Sequence, residues 1–448
     1  MTDRYMKLKL LIVIFFFILM INACVTNTDI SSKNNIDVTE IDKVVNSYSK
    51  EDNVISRMTT LMEFESKTKS IDEKKLTCNL LAEEFSYVGD YTEALFYMDK
   101  YKKKIKQKNI KNTKKIFEEY KPVDAVKAIG AIAQKHQIIF INEAHHIPMH
   151  RILSIKLLKI LYNEGFRYFA AETVSTADKD LNYRGYPLTG KTGVYTDEPV
   201  YGELIRYALK LGYEVVPYES EIPCERQSSV KNLLGIKDMN CQNYREYHQA
   251  LNIYNRILKK KPKAKIFVHA GYAHIAKMGN KSWTPMCEYF IKISGIKPFT
   301  IDQVTMGEHS NPDFENSTYK EINQIYNFDN PIVLTSLKNK YWASNKKKYD
   351  LQIFHPRTTF VDGRPNWMSF DGSRTPYFIK RLRGDEKFPC LVSAYKKDEG
   401  PKAVPIDRIL LKKPNIHKAL MLPRGRFIII ITDKTKKVIV ETVVNMPI

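Results

Sequence analysis

The sequence predicts an α/β fold: a mixed or parallel sheet flanked by helices, preceded by an N-terminal helical hairpin and followed by a small β-rich C-terminal extension. Three observations carry this expectation. Between residues 120 and 310, short β-branched and aromatic runs alternate with amphipathic stretches, the pattern of strands joined by crossover helices. Residues 53–119 place apolar side chains at helical spacing instead, and residues 331–448 are rich in short strand-like runs. A chain of 448 residues is long enough to bury a full core as well as these flanking parts.

At the N-terminus, Arg4, Lys7 and Lys9 precede an unbroken apolar run, Leu10–Ile21, and then Asn22-Ala23-Cys24. A charged start, a short apolar stretch and a small residue before the break describe an export signal, too short for a comfortable permanent membrane span. Ile21-Asn22-Ala23-Cys24 resembles a bacterial lipobox. That resemblance implies a signal peptide over residues 1–24, lipidation of Cys24 and a lipoprotein held in the cell envelope; Val25 does not resemble an inner-membrane retention signal, so the outer membrane is expected. Residues 25–52, rich in Asn, Ser, Asp and Lys, read as a flexible tether.

Asn79–Lys104 has helical apolar spacing interrupted at Gly89-Asp90 and resembles one tetratricopeptide-type hairpin. A single hairpin cannot bury a solenoid core, so a cap or a docking surface for a protein partner is expected. The α/β region then reads in order as a strand at "QIIFINE", a helix from Pro148 to Asn163, and a strand "FRYFAAETV" ending in Glu172. The helix "PVYGELIRYALKLGY", a strand ending in Glu219, a long amphipathic helix over Cys241–Lys260 and the strand "AKIFVHA" follow. "GIKPFTIDQV" closes the region, and "RFIIIITDKTKKVIVETVV" near the C-terminus predicts a hairpin around Asp433–Lys436.

Lysine and arginine number 71 against 50 acidic residues, a net charge of +21. An exported chain meets little nucleic acid, and the lysines are scattered or grouped in runs such as Lys102–Lys104, Lys259–Lys261 and Lys346–Lys348. No nucleic-acid partner is therefore expected, and attraction to anionic lipid or surface polymers is. Beyond Cys24 the cysteines are Cys78, Cys224, Cys241, Cys287 and Cys390, with no Cys-x-x-Cys spacing to hold zinc. Cys224–Cys241 and Cys241–Cys287 are both open as disulfides.

The chemistry concentrates in two segments, Phe140–Arg151 and Ile266–Lys277. Each is a strand-like run that ends in titratable groups: Glu143, His145, His146 and His150 in the first, His269 and His274 in the second. Sites of open α/β sheets form at the carboxyl ends of strands. An imidazole can take a proton from water near neutral pH, and a carboxylate can orient it. Glu143 and Glu172 would serve if the first two strands are neighbours. His269 and His274 could bind a developing oxyanion or a metal, and Arg151, Arg226 and Arg245 an anionic group. Arg245-Glu246 reads either as a structural ion pair or as a substrate clamp. His355 and His417 read as structural.

The order of "NEAHHIPMHR", "FAAET", "RGYPLTGKTGVYTDEP", "VPYE", Arg245-Glu246 and "VHAGYAH" resembles the erythromycin-esterase/ChaN-like superfamily, related to the TraB and Tiki proteins, over residues 120–305. The family couples two Gly-x-x-His motifs with a glutamate at the end of the second strand. Gly271-Tyr272-Ala273-His274 is intact, whereas Asn142 stands in the first glycine position. That spacing selects His145, and the esterase branch's Glu-x-x-His spacing selects His146. The resemblance implies a catalytic set of His145, Glu143, Glu172 and His274. It implies substrate contacts from His146, Arg151, Tyr186, Tyr195, Glu219, Arg245, Glu246, His269 and Tyr272. A divalent metal, if bound, would fall to His145, Glu172 and His274.

Three functions follow as expectations. The first is an esterase- or peptidase-like hydrolase of an ester, lactone or amide in a small-molecule substrate. The second is a ChaN-type haem-binding lipoprotein of iron uptake, using His145, His274, Tyr272, Tyr186 or Tyr195 as axial ligand. The third is a non-catalytic envelope scaffold. Gly185-Tyr-Pro-Leu-Thr-Gly190-Lys191-Thr192 matches a phosphate-loop pattern, but no strand leads into it and no helical periodicity follows. It reads as a glycine-rich loop over the site, and the resemblance implies that it contributes Tyr186, Tyr195 and Glu198.

Overall fold

A computed structural model describes residues 53–104, 116–220, 240–379, 387–414, 417–435 and 437–447. The expected signal peptide, Cys24 and the tether lie outside the described residues, as do Arg226 and Cys224. Among the described residues no helix is long and apolar enough to cross a membrane. The chain forms two compact units. One comprises Met1–Lys103, Phe360–Pro401 and Pro405–Ile448; the other comprises Lys104–Thr359 with Lys402–Val404.

The first unit opens with helices α1 (Val54–Lys67), α2 (Ile71–Tyr87) and α3 (Tyr91–Asp99). Asn53 and Ser70 cap α1 and α2 by accepting bonds from first-turn amides. Between α2 and α3 the backbone turns at Gly89, whose φ of 66° is left-handed. A Cβ there would lie 2.3 Å from the Arg408 carbonyl, so the hairpin closes only with glycine. This is the helical hairpin expected from the spacing.

The second unit carries the α/β fold. Strand β1 (Tyr120–Asp124) leads into α4 (Ala125–Ala133), β2 (Ile138–Glu143), α5 (Met149–Asn163) and β3 (Phe166–Ala171). Then come α6 (Pro199–Leu211), β4 (Glu214–Pro217), α7 (Cys241–Ile253), β5 (Lys265–Gly271), α8 (Met286–Ser294) and β6 (Phe299–Asp302). Helix α9 (Ser317–Ile325), β7 (Ile332–Ser336) and β8 (Leu351–Gln352) complete it. Six strands form one parallel sheet in the order β4-β3-β5-β2-β6-β8, while β1 and β7 pair separately and antiparallel. Because β8 joins the sheet and β7 pairs with β1, this unit runs to Thr359, past the boundary near residue 310 expected from sequence.

Every side chain of β2 is buried, as a central parallel strand covered on both faces requires. On one face Phe140, Tyr168, Val216 and Val268 pack against Ala250 and Ile253 of α7 and Phe290 of α8. On the other, Tyr201 of α6 meets His269 at a ring separation of 5.7 Å. Helix α6 begins where the sequence says it should. Pro199 occupies its first turn, the Glu198 carboxylate accepts from the Val200 and Tyr201 amides, and left-handed Gly212 ends it. Helix α7 does not run on as α-helix to Lys260, because Tyr254–Leu258 widens into a π-turn.

The first unit resumes with a short hairpin of β9 (Phe360–Val361) and β10 (Arg364–Pro365), then β11 (Arg374–Phe378) and β12 (Cys390–Lys396). β13 (Asp407–Leu411), β14 (Ala419–Pro423), β15 (Gly425–Thr432) and β16 (Val438–Met446) follow. Four strands make an antiparallel sheet, β13-β12-β15-β16, and β11 pairs with β14. The period of two sorts the faces of the larger sheet. Leu391 and Leu410 join the core of the N-terminal helices, while Cys390, Val392, Ile409 and Leu411 pack with Leu420 and Leu422 of β14. The β15–β16 hairpin turns at Asp433, as the sequence predicts.

Candidate active site

The carboxyl ends of β2, β3 and β5 converge, but not in the expected order. β2 and β3 are not neighbours, because β5 is inserted between them. Gly271 pairs with Glu143 on one side, and the Glu172 amide bonds the His269 carbonyl on the other. The strand ends therefore deliver Glu143, Gly271 and Glu172 side by side. A Cβ on Gly271 would stand 2.5 Å from Nε2 of His145 and 3.1 Å from Oε2 of Glu172. The glycine of the intact Gly-x-x-His motif thus lets the two groups approach each other across β5.

Around His145 the network is sealed. Its Nδ1 lies 2.9 Å from Glu143, its ring stacks on Tyr195 at 3.7 Å between centroids, and Tyr272 meets it edge-on. Arg151 bonds both oxygens of Glu143 at 2.7 and 2.8 Å, Glu198 at 2.7 Å and the His145 carbonyl at 2.8 Å. Burial alone would raise the Glu143 carboxyl, but the Arg151 guanidinium and the His145 bond hold it well below its ordinary range. Arg151 is fully buried, so its expected role on substrate gives way to that of the structural cation of this half.

His274 forms the more open half, with its side chain 13% exposed. Its Nδ1 lies 2.8 Å from the fully buried Glu246. Trp283 Nε1 and the Met286 amide fix that carboxylate at 3.0 and 2.7 Å. The His274 Nε2 edge lies 3.2 Å from Arg245 Nη1 and 3.3 Å from Glu172. Arg245 also bonds Glu172 at 2.6 Å and Glu219 at 2.6 and 3.0 Å. Arg245 and Glu246 therefore do not pair with each other. Adjacent helix positions point about 100° apart, so each takes a different partner. Burial would lower the His274 imidazole, but Glu246 and Glu172 raise it. Burial would likewise raise Glu172, yet His274 and Arg245 bring it to about 2, aided by the Gly271 amide.

Of the two motif histidines, His145 occupies the cluster. His146 is buried beside it, with Nδ1 3.3 Å from the Tyr272 hydroxyl. Tyr272 takes the left-handed conformation, φ 39°, where the chain turns off β5. His269 is buried within the sheet, its Nε2 3.8 Å from Glu143, and burial drops its pKa to about 4. It is a neutral core residue rather than a substrate contact. His150 accepts the Ala144 amide and is structural, as is His355 against Gln303. Asn142, in the position of the missing glycine, bonds the Tyr272 carbonyl, Asp302 and the Gln303 amide, and so ties three strand ends together.

The loop over the site delivers Tyr195 and Glu198 to the cluster, but Tyr186 only packs under the Arg184 guanidinium. Lys191 and Thr192 turn back to Asp178, and a 3₁₀ turn follows, so no phosphate loop forms. Cys241, at the start of α7, is disulfide-bonded; Cys287 is free, which removes the Cys241–Cys287 pairing. Reading the sequence missed Trp283 and Gln249. Gln249 lies one turn from Arg245 and bonds Glu219 at 3.0 Å, a helical spacing that was legible; nothing local marks Trp283.

The residues do not fit a metal. The Arg245 guanidinium already stands where a cation would meet Glu172, Glu219 and His274, and no metal-holding group of three or more His, Cys, Asp or Glu occurs among the described residues. Tyr195 covers His145, so that imidazole is not ready as a haem axial ligand.

No family model and no curated protein matches this sequence. Among solved structures, the type III effector HopBA1 aligns at 13% identity over 42% of this chain and 88% of its own, with a TM-score of 0.28. ChaN of Campylobacter jejuni, described with cofacial haem binding, aligns at 11% identity over 53% of this chain and 98% of its own, TM-score 0.30. A structure described as bacterial protein toxins aligns at 9% identity over 55% of this chain and 52% of its own, TM-score 0.28. No function passes from these proteins to this chain.

Proposed function

We propose that the α/β unit is a hydrolase of an ester, lactone or amide in which His274 moves the proton. The carrying observation is the Glu246–His274 pair: a fully buried, doubly fixed carboxylate orienting a partly exposed imidazole. With its proton on Nδ1 toward Glu246, His274 presents the Nε2 lone pair beside Arg245. Nε2 takes a proton from water as the water oxygen bonds to the substrate carbonyl carbon. Glu246 and Glu172 stabilise the imidazolium, and Arg245 stabilises the negative charge on the carbonyl oxygen. The same proton then passes to the leaving oxygen or nitrogen as its bond to carbon breaks. His145, held by Glu143, packs against Gly271 beside Glu172 from the other half.

The test is a screen of chromogenic esters, lactones and anilides with the wild type and His274→Gln. Turnover lost in the variant, with an unchanged circular dichroism spectrum, supports the reading. Turnover that survives sinks it.

A haem role is the second reading. It rests on Tyr186, which is partly exposed and whose hydroxyl has no hydrogen-bond partner among the described residues. A Soret band on haem addition, abolished by Tyr186→Phe, would favour it. Placement in the cell envelope through a lipidated Cys24 is proposed on the Arg4–Cys24 pattern alone.

A further inference from the structure

The opposite end of the sheet carries a second feature, which owes nothing to the histidine cluster. At the amino ends of β3 and β5 a shallow groove of about 670 Å³ is lined by Gly165, Arg167, Tyr168 and the run Lys261-Pro262-Lys263-Ala264-Lys265. Four of these eight residues are cations and none is acidic. Lys259 and Lys260, both exposed, continue the run at its rim, and Glu214 is the carboxylate closest in influence to Lys261.

The cations are built in. Phe166 pairs with Lys265 and Tyr168 with Ile266, so Arg167 is the extra residue of a β-bulge, a device that re-aims a side chain. Its guanidinium lies 3.8 Å over the Tyr162 ring and bonds the Tyr162 and Phe166 carbonyls at 2.6 and 2.9 Å. Lys265 donates to the Ala133 and Glu164 carbonyls at 3.0 and 2.9 Å, and Lys261 donates to the Tyr168 hydroxyl. All of these acceptors are neutral. None of the four cations forms an ion pair among the described residues, whereas Lys277 and Arg357 of the same unit do. Like charges held together by neutral acceptors repel one another, and a counter-anion would relieve that repulsion.

We propose that this groove is an oxyanion site for a phosphoryl group, either a phospholipid headgroup or free phosphate. Lys261 and Lys263 supply the accessible charge, and Arg167, fixed on its bulge, supplies the planar donor fork that phosphate geometry matches. β5 separates the groove from Gly271 by roughly 20 Å at the usual strand rise. Groove variants therefore leave the histidine cluster untouched.

The experiment compares the full chain with Lys261→Gln/Lys263→Gln, two exposed positions whose change does not threaten the core, and with Lys263→Glu. Co-sedimentation is measured with phosphatidylglycerol and with phosphatidylcholine vesicles, the latter reading any contribution of the apolar N-terminal run. Calorimetric titration with inorganic phosphate is run beside it. A preference for phosphatidylglycerol that falls roughly tenfold to hundredfold in the double variant, and weakens with salt, assigns the site to a lipid headgroup. Phosphate binding that is lost in both variants, without a vesicle preference, assigns it to the free anion. Binding to neither, or binding that both variants retain, overturns the proposal.

Discussion

Gly271 ends β5 and His145 lies in the turn that follows β2, and the glycine's missing Cβ is the space into which the imidazole Nε2 fits, 2.5 Å from where that atom would be. Glu172 closes the same space at 3.1 Å. The two halves of the candidate site thus meet over one hydrogen atom of Gly271.

Gly271→Ala should accordingly displace His145 from Tyr195. Overpacking of a closed site costs about 1–3 kcal/mol. A urea titration should show the midpoint falling with an unchanged slope. A variant as stable as the wild type would contradict the close packing of His145 on β5.

For the proposed reaction, Glu246→Gln keeps the shape of the pocket but removes the charge that raises His274. Turnover should fall by roughly 10²- to 10⁴-fold, the range for a general base and its orienting carboxylate. His274 must be neutral to accept a proton, so wild-type activity should rise with pH through its raised pKa. In Glu246→Gln that rise should move to lower pH. An unshifted profile would show that His274 does not carry the proton.

Arg245→Met leaves Glu172 and Glu219 without their shared cation. Removing one member of a buried charge pair costs about 3–5 kcal/mol. Thermal unfolding of this variant should shift down far more than that of Lys292→Met, whose pair with Glu288 is exposed.

Stability should fall on the acid side. Glu172 titrates at about 2 in the folded state against an ordinary 4.5, so its contribution is present above about 4.5 and lost as pH falls toward 2. His269 and His355, lowered to about 4 and about 3, act in the same direction below their ordinary 6.5, because the unfolded chain takes up their protons first. His274 is raised and has the opposite sign: its contribution is full below 6.5 and declines as pH rises through its folded value. Urea midpoints measured from pH 8 to pH 3 should decline steeply below about pH 6. A flat profile there would mean that these groups are not buried as described.

Labelling with radioactive palmitate in a bacterial host tests the envelope expectation. Incorporation that is lost in Cys24→Ala is the expected result, and unlabelled protein released by ordinary signal cleavage is the contrary one.

The strand-end clusters at Glu143–His150 and His269–His274 were legible because a polar group that ends an apolar run announces a strand terminus. The helix start at Pro199 was legible for the same kind of local reason. Partner choice was not. Arg245 and Glu246 look like an ion pair in the sequence, and only the position of α7 against β4 and β5 sends one to Glu219 and the other to His274.

By itself, then, the sequence determined the alternation of strand and helix, the terminal helical hairpin, the β15–β16 turn and the residues that reach the strand ends. Those features follow from periodicities of two and 3.6 residues and from local caps. The tertiary structure decided that β5 enters between β2 and β3, that His145 is sealed under Tyr195 while His274 stays partly open, and that Arg245 fills the place a metal would take. Strand order and burial depend on pairings between segments more than a hundred residues apart, such as Glu143 with Gly271, and no local pattern encodes them.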